Sequence, residues 1–140
     1  TRKHIPPLPA AVPVRYPLSP HSKATLSRAI DVAEEQAADL TVLHINLYHN
    51  SQHVSRTELK RAVESEFGHI PHARYVVRSG LLVEETILEE VAQQQADIVV
   101  IGEKQASRWR RMVRRLVDDP DIEQFLQNEI DAQIITASVS

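Results

Sequence analysis

The run Ile98-Val99-Val100-Ile101-Gly102 is apolar throughout and ends in glycine. That pattern fits a strand buried on both faces, at the centre of a parallel sheet. Leu40-Thr41-Val42-Leu43-His44-Ile45-Asn46 is a second β-branched run of strand length, and Ala73 to Arg78 and Gln133 to Ala137 give two more. Val12 to Tyr16 reads as a short first strand, weakened by Pro13, which removes one ladder donor. Between these runs the apolar spacing changes to that of helices. Ser19-Pro20 supplies a capping hydroxyl followed by proline at the first helical position, and Leu26, Ile30, Ala33 and Ala37 follow on one face. Ser55-Arg56-Thr57-Glu58 fits a capping box, Leu59, Ala62 and Val63 form the stripe behind it, and Gly68 stands where a helix end favours positive φ. Gly80 is read as a turn, after which Val83, Ile87, Leu88 and Val91 mark a third helix. A fourth runs from Ala106 to Val117, and Asp119-Pro120 signals a fifth, with Ile122, Phe125 and Leu126 on one side.

The resulting order, β-α-β-α-β-α-β-α-α-β, predicts an α/β doubly wound sheet of five parallel strands with helices on both faces. The prolines clustered from Pro6 to Pro17 and the lack of periodicity before them make Thr1 to Ala10 an extended arm, leaving residues 11–140 as the folded unit. A chain of 140 residues is the size of one domain. Aromatic residues are only 4% against 42% hydrophobic, so the core must be built from Val, Ile, Leu and Ala, as parallel strands require. The net charge of −3 gives no global signal for nucleic acid, and the lack of cysteine excludes thiol catalysis, disulfides and thiolate metal sites. No apolar run approaches the roughly 20 residues needed to insert across a bilayer, and the first residues lack the apolar stretch of a signal peptide, so a cytoplasmic location is expected.

Three stretches in this order resemble the universal stress protein family: the turn through Ser19-Pro20-His21-Ser22, the strand Leu40 to Ile45 with its histidine, and the segment from Val77 through Gly80 and the acidic helix to Gly102. The resemblance covers Val12 to Ser138 and implies a three-layer fold with sheet order 3-2-1-4-5. It also implies a ligand position where strands one and four diverge, as in other sheets of this kind. Two departures stand out. Family members that bind ATP end strand one on an aspartate; here either Pro17 or Arg15 takes that place, depending on whether Ser19 and Ser22 or Val12-Pro13-Val14 is aligned. After strand four they carry glycines that expose backbone N–H groups to phosphate, and of these only Gly102 survives, with Gln105 and Arg115 at the other positions. ATP is therefore not expected in the family's mode, and no cofactor is expected.

In place of that loop stands Arg108-Trp109-Arg110-Arg111-Met112-Val113-Arg114-Arg115. Wound as a helix, it puts Trp109, Met112, Val113 and Leu116 on one side and the arginines on the other. The arginines can simply pair with Asp118, Asp119, Asp121 and Glu123, or they can bind phosphates through their guanidinium forks with no glycine needed. The resemblance and this helix together nominate Pro17, Ser19, Ile45, Gly102, Lys104, Arg108, Arg111 and Arg115 as ligand-binding residues. The histidine pairs His49/His53 and His69/His72 fall in or beside loops without companion ligands, and they are read as surface residues. His44 is read as a hydrogen-bonded core residue. Ser19, Ser22 and His21 lack an orienting carboxylate, so no catalytic group is assigned and an enzyme is not expected.

The expected function is a regulatory or binding module of the universal stress protein type, with partners of two kinds. The first is a second copy, paired through the uncharged last strand, Gln133 to Ala137, as the family resemblance implies. The second is an anion, a nucleotide or RNA, at the arginine helix. Three rival readings are an adenine-nucleotide protein with an arginine clamp, an RNA- or ribosome-binding protein, and the regulatory domain of a membrane transporter. The last would account for a start at Thr1 and a proline-rich arm.

Overall fold

The computed structural model describes residues 8–117 and 133–137. In chain order the elements are β1 (Leu8–Pro13), α1 (Pro20–Gln36), β2 (Ala38–Leu47), α2 (Arg56–Phe67), β3 (Ala73–Gly80), α3 (Val83–Gln94), β4 (Ile98–Gly102), α4 (Glu103–Val117) and β5 (Gln133–Ala137). The strands form one parallel sheet in the order β3-β2-β1-β4-β5, as expected. The helix expected from Asp119-Pro120 and the acidic residues that follow Val117 lie outside the described residues.

Alternation along the strands divides the core into two layers. Ala10, Val12, Leu40, Val42, Ile98 and Val100 turn to one face, where Leu26, Ala29 and Val32 of α1 and Leu59 and Val63 of α2 cover them. Ala11, Leu43, Ile45, Val99 and Ile101 turn to the other, under Ile87, Leu88 and Val91 of α3 and Ala106 and Trp109 of α4. Trp109 is thus a core residue rather than a base-stacking one.

The helix starts follow the local chemistry. The Ser19 hydroxyl accepts from the Ser22 N–H at 3.1 Å with Pro20 at the first position, and Ser55 and Glu58 form the reciprocal box. Gly68 ends α2 at φ 73.

Three boundaries differ from expectation. The first strand occupies Leu8–Pro13 rather than Val12–Tyr16, so Leu8 to Ala10 belong to the sheet and not to an arm. Its prolines sit near the strand ends, where a missing N–H interrupts least of the ladder, and the chain leaves the sheet after the Val14 N–H bonds to the Leu43 carbonyl at 2.8 Å. Gly80 closes β3 instead of turning the chain. A Cβ there would fall 2.1 Å from the Thr86 hydroxyl oxygen, so the glycine admits the first turns of α3 against the strand. Finally, α4 begins at Glu103, three residues earlier than the apolar spacing indicates, immediately after β4.

Candidate functional site

Parallel strands deliver their C-terminal ends to one side of the sheet, and connections from β1 and β4 leave toward opposite faces. An open cleft of about 980 Å³ lies there. Its floor is apolar, from Leu43, Ile45 and Val54, and its polar groups come from the β1–α1 turn, the end of β2, the loop after it, and the start of α4.

The β1 side is held by backbone bonding. The Arg15 N–H donates to the Ser22 hydroxyl at 2.9 Å, so Ser22 anchors the turn that carries Arg15 and Tyr16 into the cleft. His44 Nδ1 lies 3.0 Å from the Val14 carbonyl. A carbonyl only accepts, so Nδ1 is the nitrogen that donates in this bond. The Tyr16 and His44 rings meet edge to face at 6.3 Å. At the end of β2, Asn46 is buried and brackets one residue with both ends of its amide. Its Nδ2 donates to the Val54 carbonyl at 2.9 Å, and its Oδ1 accepts the Val54 N–H at 3.0 Å. That clamp closes the loop that presents Asn50, Ser51 and Gln52 to the cleft.

The β4 side is built from charge. Gly102 leads directly into α4, whose Glu103, Lys104 and Arg108 line the cleft. The Arg108 Nε lies 2.9 Å from Glu84 Oε1 in the first turn of α3. A Cβ on Gly102 would approach nothing nearer than the Thr25 hydroxyl at 3.8 Å, so packing does not require a glycine there. What the missing side chain provides is backbone exposed toward the cleft.

Neither a family model nor a curated protein matches the sequence. Solved structures do match. The universal stress protein UspA from Lactobacillus plantarum aligns with 96% of this chain and 100% of its own, at 15% identity and a TM-score of 0.57. A universal stress protein in complex with cAMP aligns over 94% and 98%, at 16% identity and 0.58. The universal stress protein from Archaeoglobus fulgidus in complex with dAMP aligns over the same shares, at 13% identity and 0.58. The chain has the universal stress protein fold.

Of the residues nominated from sequence, Ser19, Ile45, Gly102, Lys104 and Arg108 line the cleft of this universal stress protein fold. Pro17 is exposed in the β1–α1 turn and is not part of the lining, whereas Arg15, the alternative at that place, is. Arg111 and Arg115 also lie outside the lining, exposed farther along α4. The Ser19 hydroxyl is occupied as the α1 cap. Residues that sequence reading did not nominate are Tyr16 and Asn46. Asn46 had a signal, a polar side chain directly after the buried run Leu43 to Ile45, but its partner stands in a loop eight residues on. His49, His53, His69 and His72 are all exposed, and among the described residues no group of three metal-binding side chains occurs. Nor is any described helix long and apolar enough to cross a membrane.

Proposed function

We propose that this protein is a binding module of the universal stress protein type whose cleft takes a nucleotide-like anion, held by Arg15, Lys104 and Arg108 in place of a glycine-rich loop, and that it is not an enzyme. The observation that carries this reading is the junction of β4 and α4. The helix starts at Glu103 with no loop in between, so a glycine-rich loop is absent from the described site, while two cations of the first turns line the cleft. Guanidinium and ammonium groups bind phosphate without a cradle. The cAMP and dAMP complexes of similarly folded proteins favour a nucleotide over other anions. Against catalysis, the Ser19 and Ser22 hydroxyls each accept a backbone N–H, and no carboxylate is hydrogen-bonded to His21 or His44 among the described residues.

Calorimetric titration with AMP, cAMP and ATP at low and high salt tests the reading. Binding should weaken with salt, and replacing Arg15, Lys104 and Arg108 together by Gln should lower affinity by at least about tenfold. Unchanged affinity in that triple variant would sink the reading.

The same proposal includes a dimer through β5. This strand ends the sheet, has no neighbour on its outer side among the described residues, and carries Ile134, Ile135 and Thr136 without a charge. The opposite edge, β3, carries exposed Arg74 and Arg78, the side chains that discourage strand addition. Thr136→Lys places like charges across a two-fold axis, and sedimentation at tens of micromolar should show the dimer dissociating. A wild-type monomer, or a lysine variant that dimerises undiminished, ends this part of the proposal.

A further inference from the structure

Lys104 and Arg108 line the cleft, but they also begin a row. Positions 104, 108, 111 and 115 are spaced i, i+4, i+7 and i+11, which at about 100° per residue keeps all four within roughly 60° of one another on the helix surface. All four side chains are exposed. The buried side of α4, with Ala106, Trp109, Met112 and Val113, lies against the sheet and α3, so the row faces outward. At a rise of about 1.5 Å per residue it extends about 16 Å from the cleft, with a cation every turn. Arg110 and Arg114 are exposed too, but roughly a quarter-turn or more to one side of the row. At the inner end, Tyr16 and His44 offer aromatic surface within the cleft.

We infer that the ligand is a short single strand of nucleic acid rather than a mononucleotide, with its terminal nucleotide in the cleft and its following phosphates along Lys104, Arg108, Arg111 and Arg115. The inference rests on the reading of the cleft given above and extends it outward. Evenly spaced cations on one helix line answer a repeating anion, and a free nucleotide in the cleft would reach only the inner two. The aromatic pair at the inner end accounts for a base, because ring stacking tolerates any base and contributes affinity that phosphate alone does not receive. Glu84 tempers the row: it holds Arg108 at 2.9 Å, and an incoming phosphate must displace it.

The test is a ladder of 5′-labelled oligoadenylates of one to six nucleotides, read by fluorescence anisotropy with the wild-type protein. Affinity should climb for the first few nucleotides, by severalfold at each step at low salt, and then level off where the row ends. Arg111→Gln with Arg115→Gln should flatten the ladder and leave the mononucleotide unaffected. The salt slope for the longest strand should drop by about 1.4 for the two lost phosphate contacts. Arg110→Gln with Arg114→Gln makes the same change in net charge and should leave the ladder steep. A flat wild-type ladder with a bound mononucleotide overturns the inference while the cleft reading stands. So does an equal effect of the two double variants, or linear polyphosphate binding as tightly as RNA of equal charge. If the mononucleotide itself fails to bind, the cleft reading falls and this one with it.

Discussion

Where the cleft is bounded by β1 and β2, its polar groups are tied to the main chain: Ser22 to the Arg15 N–H, His44 to the Val14 carbonyl, Asn46 to both polar groups of Val54. Where it is bounded by β4 and α4, the groups are long side chains in water, and among the described residues the bond that restrains them is between Arg108 and Glu84, whose side chains are 54% and 20% exposed. The first wall has largely fixed geometry and a single cation, Arg15, and is suited to recognising the shape of a ring. The second has charge and little fixed geometry, suited to gripping phosphate in several ways. A glycine-rich loop would have combined geometry and charge at one place; this chain largely separates them. The separation also divides the energetics, since the first wall contributes to the stability of the fold and the second does so only slightly.

The strongest test of that division is Asn46→Ala. Asn46 is buried, and its loss leaves the N–H and carbonyl of buried Val54 without partners. Each unsatisfied buried group costs about 1–3 kcal/mol, so urea unfolding should show a loss of about 2–4 kcal/mol with an unchanged m-value. Hydrogen exchange at the Val54 amide should accelerate beyond what the global loss explains, because the clamp holds the loop directly. A loss below about 0.5 kcal/mol, in the range of ordinary surface substitutions, would mean that this wall is no more rigid than the other.

The same division explains what could be read in the sequence. The sheet was legible because Ile98 to Ile101 and Leu40 to Ile45 are buried by layers on both faces and therefore carry unbroken apolar runs. The helix starts at Ser19 and Ser55 were legible because capping is local chemistry. β1 is misplaced because Pro6, Pro7 and Pro9 make the first ten residues read as an arm when only the chain is seen, and the tolerance for Pro9 comes from its place near the end of a ladder. Gly80 was assigned to a turn because the reason for it, the Thr86 side chain, lies on the following helix. In the site, Arg108 is legible from the helical spacing of the arginine run and Lys104 from its place beside Gly102 in the family resemblance, although α4 begins three residues before the spacing indicates. From sequence alone Arg15 is one of two choices, because the register at the end of β1 is set by the bond from Val14 to Leu43, which joins residues far apart in sequence. Asn46 is missed because its partner stands in a loop with no periodicity to announce it. The fixed wall is made by bonds that cross turns, loops and strands, and the charged wall by helical periodicity.

The smallest effect on stability is expected from Glu84→Gln, and its value lies in the contrast with Asn46. The Glu84–Arg108 pair is short, but the guanidinium is half exposed, and exposed pairs contribute about 0–1 kcal/mol because water and counterions compete for both partners. Breaking it should therefore shift unfolding by less than about 1 kcal/mol, and a double-mutant cycle with Arg108→Gln should return a coupling energy in the same small range. Affinity should move the other way. With the carboxylate gone, Arg108 no longer has to exchange one anion for another, and a negative charge beside the cleft has been removed. Nucleotide affinity should rise severalfold at low salt, and the gain should shrink as salt screens the charges. In the Arg108→Gln background, Glu84→Gln should yield only the part of that gain due to general charge. Were Glu84→Gln instead to cost as much stability as Asn46→Ala, the pair would be holding α3 to α4, and the charged wall would be structural like its neighbour. Were affinity unchanged at every salt concentration, Arg108 would not meet the ligand, and Lys104 and Arg15 would have to hold the anion without it.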